Sequence, residues 1–365
     1  MGTGLTVVLG LGAGGGAPEA VSPPAIALTG GLRDGMFLRL RKTRMAVYTP
    51  LSREQLAEAL RRYGLPPPER ALPEPKGSVN TNYHLWAGGK RFFLRLNEGK
   101  TAADVAFEAE VLRFLSGKGF PAVSLIAAQD GATEVEVAGR PAMLFAFARG
   151  EELERADITP DRCRQVGVEL GRLHALASQF PGGRSNPYRW SRVSRWIEGL
   201  EPDGGDPLVR PCLPMLREEL LSSRVLPPAP RGLIHGDLFL DNVLWVGERI
   251  SAILDWEMSC VDALAYDLGV ALNAWCYGEC FDRSLIRALL EGYRRHVPVD
   301  SDTVGAAYAY SRYVALRYTA SRIHAFHLAA LPADRLAWKD WTRYRDRLAA
   351  LRVMGEEGFR ELVGP

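Results

Sequence analysis

The stretch RGLIHGDLFLDNVLW, residues 231–245, places several polar side chains inside an apolar run. His235, Asp237, Asp241 and Asn242 lie among leucine, isoleucine and valine residues. Buried polar groups are costly unless they are hydrogen-bonded or take part in chemistry. The stretch therefore predicts either a stapled structural turn or a catalytic loop, and the rest of the chain must distinguish the two.

The next segment adds a third oxygen-bearing side chain. Asn242 follows Asp237 by five residues, and the apolar alternation in RISAIL predicts a strand that ends at Asp255. Mg²⁺ prefers hard oxygen ligands and takes few of them from protein, so one amide and one carboxylate are a fitting supply. An aspartate that orients a hydroxyl, followed by an asparagine and an aspartate on the metal, is the arrangement used for phosphoryl transfer.

The bulk composition is that of an ordinary folded protein. The 365 residues carry 45 basic and 43 acidic side chains, for a net charge of +2, and suffice for two domains or one two-lobed domain. We therefore expect no nucleic-acid partner and no membrane partner. The cysteines are five in number and scattered, which favours reduced thiols in a cytoplasmic protein over a zinc site. The sequence leaves the oligomeric state open.

Residues 1–44 differ from the remainder. They are rich in glycine, alanine and proline and lack periodicity, and they carry neither the basic start of a signal peptide nor the Gly-Lys-Ser/Thr end of a P-loop. We expect a disordered leader or an over-extended start, with Met45 as a candidate true start.

The first patterned part predicts a small sheet with one long helix. Ser52, with Gln55 three residues on, predicts a capped helix start. NTNYHLWAGGKRFFLRL predicts a hairpin that turns at Gly88-Gly89. A helix is predicted from Asp104 to Lys118, and strands are predicted near residues 122–127, 133–138 and 141–147.

The second part predicts mainly helices. Thr159-Pro160 begins the first, and helical patterns recur near residues 209–224, 261–277, 282–296, 302–330 and 334–350. Loops and short strands over 231–256 interrupt them. We predict an α+β, two-lobed fold with a β-rich lobe at 45–148 and a larger helical lobe at 149–365. A cleft between lobes is where ligands bind.

The motif HGDLFLDNVLW…ILDWE resembles the catalytic and metal-binding loops of the aminoglycoside-phosphotransferase-like, protein-kinase-like small-molecule kinases. The resemblance implies that Asp237 is the catalytic base and that Asn242 and Asp255 hold Mg²⁺. It implies an architectural role for His235. Asp241 is either structural or faces the substrate.

The same resemblance makes the first lobe the ATP-binding lobe. FFLRL carries Arg95 where the family has a lysine, and Arg95 keeps the charge with a different shape. Glu108 matches the helix glutamate that pairs with that cation, and Phe145 to Ala148 match the adenine-binding hinge. The nucleotide-binding positions assigned in this way are Gly77, Ser78, Asn80, Arg95, Glu108, Phe145 and Phe147.

Further motifs resemble the homoserine kinases of this superfamily, among them GSVNTNYHL, HGDLFLDNVLW and DALAYDLGVALNAWC. That resemblance implies phosphorylation of the L-homoserine hydroxyl with Mg-ATP, on the way to threonine. Trp256-Glu257 and Ala274 depart from the family pattern on the acceptor side. The acceptor carboxylate would need a cation. The candidate acceptor-binding residues are Asp241, Asn273, Trp275, Arg317 and Arg322.

Several alternatives remain open from the sequence. Arg317 and Arg322 lie five apart on a predicted helix and point in different directions, so at most one is expected to meet the acceptor. A choline, sugar-like or aminoglycoside acceptor is the enzymatic alternative. A catalytically silent pseudokinase is the alternative from another class, and only Arg95 favours it.

Overall fold

The computed structural model describes residues 49–74, 79–200, 205–328 and 340–364. The predicted leader at 1–44 lies outside these ranges. The first described helix, α1 (Arg53–Arg62), confirms the predicted capping box, because Ser52 accepts from the Gln55 amide and Gln55 accepts in turn from the Ser52 amide.

An antiparallel sheet fills the first half of the described chain. Its strands are β1 (Arg70–Pro73), β2 (Thr81–Ala87), β3 (Lys90–Leu96), β4 (Leu125–Ile126), β5 (Val135–Val137) and β6 (Arg140–Ala146). They run in the order β1-β2-β3-β6-β4, with β5 also paired to β6. The β2–β3 hairpin turns at Gly88 and Gly89 as predicted, and both have positive φ, of 57° and 70°, which suits the tight turn.

The long helix of this half is α2 (Ala102–Gly117), and it begins at a second capping box. Thr101 Oγ1 accepts from the Asp104 amide, and the Asp104 carboxylate accepts in turn from the Thr101 amide. The predicted helix over 104–118 is therefore confirmed, with a start two residues earlier.

The second half is mainly helical. Its helices are α3 (Pro160–Leu176), α4 (Trp190–Glu198), α5 (Leu213–Ser222), α6 (Leu264–Trp275), α7 (Arg283–Tyr293), α8 (Ser301–Arg322) and α9 (Thr342–Val363). Thr159 caps α3 with proline at its first position, as predicted. A π-helical turn, Ile323–His327, follows α8, and α9 is kinked at Gly355.

Short strands interrupt the helices where the sequence predicts it. They are β7 (Arg231–Ile234), β8 (Val243–Val246), β9 (Arg249–Ile253) and β10 (Cys260–Ala263). β7 pairs with β10 and β8 pairs with β9, both antiparallel. These two ribbons fix both ends of the loop that carries His235 to Asn242.

The described residues form two hydrophobic clusters, and their boundary does not follow the division between the sheet and the helical half. The smaller lies between α1 and one face of the sheet, and the larger fills the helical half. Helix α2 contributes to the larger cluster, as do Met143 and Phe145 from β6. The α+β class, with an antiparallel sheet followed by a helical region, is confirmed. In the ranges that the structure describes, no helix is long and apolar enough to cross a bilayer.

Candidate active site

The loop after β7 turns sharply at Gly236. Its φ is 80°, and a Cβ there would lie 2.9 Å from the carbonyl oxygen of Met258, so the position requires glycine. Asn242 lies at the end of a 3₁₀ turn, and its side-chain Nδ2 donates to the main-chain oxygen of Asp237 over 2.7 Å. The five-residue interval thus closes a small loop that ties Asn242 to Asp237 and leaves the amide oxygen of Asn242 for another partner.

His235 braces this loop from inside. It is fully buried, its Nε2 donates to the Leu254 oxygen over 2.8 Å, and its Nδ1 accepts from the Asp237 amide over 3.2 Å. A carbonyl only accepts and an amide only donates, so this pair of contacts requires the neutral ring with its proton on Nε2. His235 therefore connects the start of the Asp237 loop to the residue before Asp255.

Asp267, to which the sequence reasoning assigned no role, anchors the start of the Asp237 loop through hydrogen bonds. Fully buried on α6, it accepts from the amides of His235 at 2.7 Å and Gly236 at 2.8 Å, and lies 3.3 Å from His174 Nε2. Burial opposes its ionisation, but the hydrogen bonds from His174 and the His235 amide hold the pKa of Asp267 below its ordinary value. A lone carboxylate inside the apolar run LAYDLGVAL was the available signal.

Asp255 lies between the loop and the sheet. Its φ of 57° is left-handed, and the preceding Leu254 amide donates to the Asn242 main-chain oxygen over 2.8 Å. Arg95 Nη1 on β3 lies 3.9 Å from Asp255 Oδ1, and Arg95 Nη2 donates to Glu108 Oε2 on α2 over 2.5 Å. The structure therefore brings together the predicted cation, its glutamate and the aspartate expected on the metal.

Glu257, noted in the sequence only as a departure from the family pattern, connects the same loop to the hairpin side. Its Oε2 accepts from Asn80 Nδ2 over 2.8 Å, and its Oε1 lies 3.7 Å from Lys100 Nζ. Asn80 also accepts from the Glu98 amide over 3.1 Å. Asn80 is therefore held at the end of β2 by one contact from each direction.

The charges around Asp255 fit a divalent cation. Desolvation and then the carboxylate of Glu257 raise the pKa of Asp255 well above its ordinary value, while Arg95 lowers it and Asp237 raises it further. In the described ranges, no group of three His, Cys, Asp or Glu side chains could hold a metal alone. Asn242 and Asp255 offer one amide and one carboxylate oxygen, which suits Mg²⁺ because it takes its other ligands from phosphates and water.

Asp237 itself is half-buried and meets Tyr318, a residue that the sequence reasoning did not single out. The Tyr318 hydroxyl on α8 donates to Asp237 Oδ1 and lies 3.3 Å from the Gly236 oxygen. Burial raises the pKa of Tyr318, so the hydroxyl remains protonated and donates. In the described part of the chain, Asp237 Oδ2 accepts no hydrogen bond.

The remaining nucleotide-binding candidates are only partly placed. Gly77 and Ser78 lie outside the described residues. Phe145 is buried in β6, with the Arg95 guanidinium carbon 5.1 Å from its ring centre. The Phe147 amide donates to the Arg91 oxygen over 3.2 Å, so the sheet already uses this amide. A base-binding amide at the end of β6 would therefore come from a neighbour such as Ala148.

The acceptor-binding candidates divide into core and site residues. Asn273 and Trp275 are fully buried: the Asn273 amide donates to the Gly269 and Ser311 oxygens, and Trp275 Nε1 donates to the Leu238 oxygen over 3.0 Å. Asn273 thus connects α6 to α8, and Trp275 holds the Asp237 loop through the residue that follows Asp237. Asp241 is exposed on the 3₁₀ turn.

The two arginine candidates differ in their contacts. Arg317 lies buried against the ring of Tyr318, with its guanidinium carbon 3.9 Å from the ring centre. Arg322 donates to the Asp340 main-chain oxygen over 2.9 Å. Arg317 is thus the arginine next to the residue that contacts Asp237.

The chain is similar in sequence to known phosphotransferases over most of its length. The model of the phosphotransferase enzyme family matches residues 70–299. Homoserine kinase from Rhodopseudomonas palustris (strain BisA53) is 31% identical over 325 residues, which is 86% of this chain and 98% of that protein. Homoserine kinase from Nitrobacter winogradskyi is 32% identical over 324 residues, which is 85% of this chain and 98% of that protein.

Solved structures share the fold at lower identity. A spectinomycin phosphotransferase, in complex with ADP and spectinomycin, superposes with a TM-score of 0.62 at 16% identity, covering 84% of this chain and 100% of that one. A microcompartment-associated aminopropanol kinase superposes with a TM-score of 0.60 at 20% identity, covering 83% and 98%. An amicoumacin kinase, in complex with AMP-PNP, Ca²⁺ and its ligand, gives 0.61 at 18% identity, covering 79% and 90%.

Proposed function

The chain belongs to the phosphotransferase enzyme family and, within it, to the homoserine kinases, and we propose that it transfers the γ-phosphoryl group of ATP to the side-chain hydroxyl of L-homoserine. The family membership makes it a kinase that acts on a hydroxyl group. The finer proposal concerns the acceptor and the role of each residue. It is supported by relatives that this chain matches over 98% of their length.

In the proposed reaction Asp237 orients the acceptor hydroxyl and takes its proton. Tyr318 occupies Oδ1, so Oδ2 is the oxygen that remains to receive the acceptor hydroxyl. The hydroxyl oxygen forms a bond to the γ-phosphorus, and the bond from that phosphorus to the bridging oxygen of ADP breaks. The proton passes to Asp237. Holding the two oxygens in line accounts for much of the rate gain in such reactions.

In this proposal, Arg95 and a bound Mg²⁺ balance the negative charge of the ATP phosphates. Arg95, fixed by Glu108, presents a guanidinium beside Asp255, where it can contact phosphate oxygens with paired hydrogen bonds. Asn242 and Asp255 are the residues that would hold Mg²⁺, which when bound neutralises negative charge on the phosphates. Arginine is therefore expected to supply the charge that lysine supplies elsewhere in the family.

The observation that carries the mechanism is the convergence of Asp237, Asn242 and Asp255 beside the Arg95–Glu108 pair. A merely structural turn would not need an arginine from β3 aimed at its far aspartate. The buried pair also gives Arg95 a fixed direction, because the two side chains are only 9% and 4% exposed.

The experiment that tests the acceptor is a parallel assay. Purified protein with Mg-ATP is given L-homoserine, choline, a methylthio-pentose or kanamycin, and ADP release is followed. We expect saturable turnover with L-homoserine alone. Turnover with one of the other acceptors would retain the mechanism and refute the homoserine assignment.

A further inference from the structure

Arg317 is a buried arginine without a polar partner. It lies on α8, is 3% exposed, and its Nε is buried with no hydrogen bond. In the portion of the chain that the structure describes, no carboxylate lies within ion-pair distance of it. The buried Arg95 and the half-buried Arg312, in contrast, each have a glutamate, Glu108 and Glu219. A buried charge that lacks such a partner is costly and points to a partner that arrives from outside.

Two tyrosine rings hold the guanidinium by its flat faces. Its central carbon lies 3.5 Å from the ring centre of Tyr188 and 3.9 Å from that of Tyr318. Such stacking stabilises the cation but uses none of its N–H groups, which all lie in the plane of the guanidinium. The plane therefore remains available for a bidentate acceptor such as a carboxylate.

The side chain of Tyr318 connects Arg317 to Asp237, the proposed base. One face of its ring covers Arg317, and its hydroxyl donates to Asp237 Oδ1. The guanidinium and the base are thus separated by a single tyrosine side chain. In L-homoserine, three carbon atoms separate the hydroxyl oxygen from the carboxylate carbon, so a molecule of this length can reach from Asp237 to Arg317.

We propose that Arg317 binds the carboxylate of the acceptor, and that the site therefore selects hydroxyl compounds that also carry a carboxylate. This inference rests on the proposed function, because it places the acceptor hydroxyl at Asp237. The stacked tyrosines, Tyr188 and Tyr318, hold the guanidinium plane in a fixed orientation. Specificity then comes from a polar group that is left unpaired when the wrong acceptor binds.

Arg322 is the less suitable candidate on the same helix. Its Nη1 already donates to the Asp340 main-chain oxygen, and its central carbon is 5.9 Å from the Tyr318 ring centre, against 3.9 Å for Arg317. The five-residue interval turns it towards the ring of Tyr344 instead, at 4.5 Å.

The first arm of the test changes the ligand. Binding of L-homoserine, L-homoserinamide and 3-amino-1-propanol to the wild-type protein with Mg²⁺ and a non-hydrolysable ATP analogue is measured by calorimetry. The amide has the same shape without the charge, and the amino alcohol lacks the carboxylate entirely. We expect L-homoserine to bind on the order of 10- to 100-fold more tightly than either. Equal affinities would overturn the proposal without any variant.

The second arm changes the residue. Arg317→Gln and Arg317→Lys should weaken the binding of L-homoserine on the order of 10- to 100-fold and leave the binding of 3-amino-1-propanol nearly unchanged. Arg312→Lys is the matched control, because it changes a guanidinium on the same helix that pairs with Glu219. It should keep the wild-type preference. Equal weakening of both ligands by the Arg317 variants, or an unchanged preference, would refute the assignment.

Failure of this inference and failure of the proposed function give different results. Turnover of L-homoserine with a preference that does not depend on Arg317 would refute only the inference. Arg317-dependent binding of L-homoserine without ADP release, or turnover of another carboxylate-bearing alcohol, would refute only the homoserine kinase assignment. A wild-type protein that binds no carboxylate-bearing alcohol would refute both.

Discussion

Replacing Asp267 by asparagine should damage both stability and catalysis, although the residue touches neither substrate. Its two oxygens accept from the His235 and Gly236 amides over 2.7 and 2.8 Å, and it is fully buried. Asparagine has one acceptor oxygen and one NH₂ group. One of the two amides would therefore face a donor, and His174 would lose the carboxylate it contacts.

The magnitude follows from these contacts. One buried charge-assisted hydrogen bond contributes about 1.5–3 kcal/mol, and an unsatisfied donor adds about 1–3 kcal/mol. We therefore expect Asp267→Asn to lower the unfolding free energy by about 3 kcal/mol. This corresponds to a fall in the thermal unfolding midpoint, Tm, of about 5 °C or more. Because the Asp237 loop loses hydrogen bonding at its start, kcat should fall about 10- to 100-fold.

The pH dependence gives a second test of Asp267. Its folded pKa is below the ordinary 3.8, so its ionised form contributes stability that is present above the unfolded value and lost as pH falls through the folded value. The stability gap between wild type and variant should be constant above about pH 5 and shrink below about pH 4.

The assay is urea unfolding at several pH values, together with initial rates on L-homoserine. Asp161→Asn is the control, since Asp161 is 84% exposed and should change stability by less than about 0.5 kcal/mol. An Asp267→Asn protein with wild-type stability and wild-type kcat would show that the loop does not depend on this carboxylate.

Two further predictions concern Arg95 and Gly236. Arg95→Met and Glu108→Gln should each raise the KM for ATP at least about 10-fold. The double variant should lose less unfolding free energy than the sum of the two single variants, by about 1 kcal/mol or more. Additive losses of unfolding free energy would show that Arg95 and Glu108 do not interact. Gly236→Ala should cost about 1–3 kcal/mol and lower kcat, because the new Cβ meets Met258 and φ is positive. Gly89→Ala, also at positive φ but with nothing within 4 Å, should cost stability while leaving kcat unchanged.

Local signals made most of the fold predictable. Ser52, Thr159 and the Gly88-Gly89 turn act over a few residues, so their capping and turn chemistry is readable in the chain. Two elements had no such signal. Helix α4 begins at Trp190, and its N-cap residue Arg189 makes no side-chain cap hydrogen bond; β1 is a four-residue edge strand that ends in proline. The predicted strand near residues 122–127 is observed as two residues, β4, which pair with Leu144 and Phe145 of β6, while β5 pairs with β6 over Arg140 to Ala142.

The site divides in the same way. Asp237, Asn242 and Asp255 lie within one motif, so their grouping could be predicted. Tyr318 reaches Asp237 from 81 residues away, and no pattern in the sequence announces such a contact. For Trp275 the sequence leaves a core role and an acceptor-binding role open, and it cannot show that the buried Trp275 Nε1 donates to the Leu238 oxygen.

The measurement that tests the central claim most directly follows phosphoryl transfer and ATP binding in the same samples. Wild type and Asp237→Asn are each given Mg-ATP and L-homoserine, with phosphorus NMR to detect the phosphate ester and calorimetry to measure ATP binding. We predict that wild type forms the ester and that the variant binds ATP normally but loses at least about 1,000-fold in rate. Wild-type kcat in Asp237→Asn, or no ester from the wild type, would contradict the account.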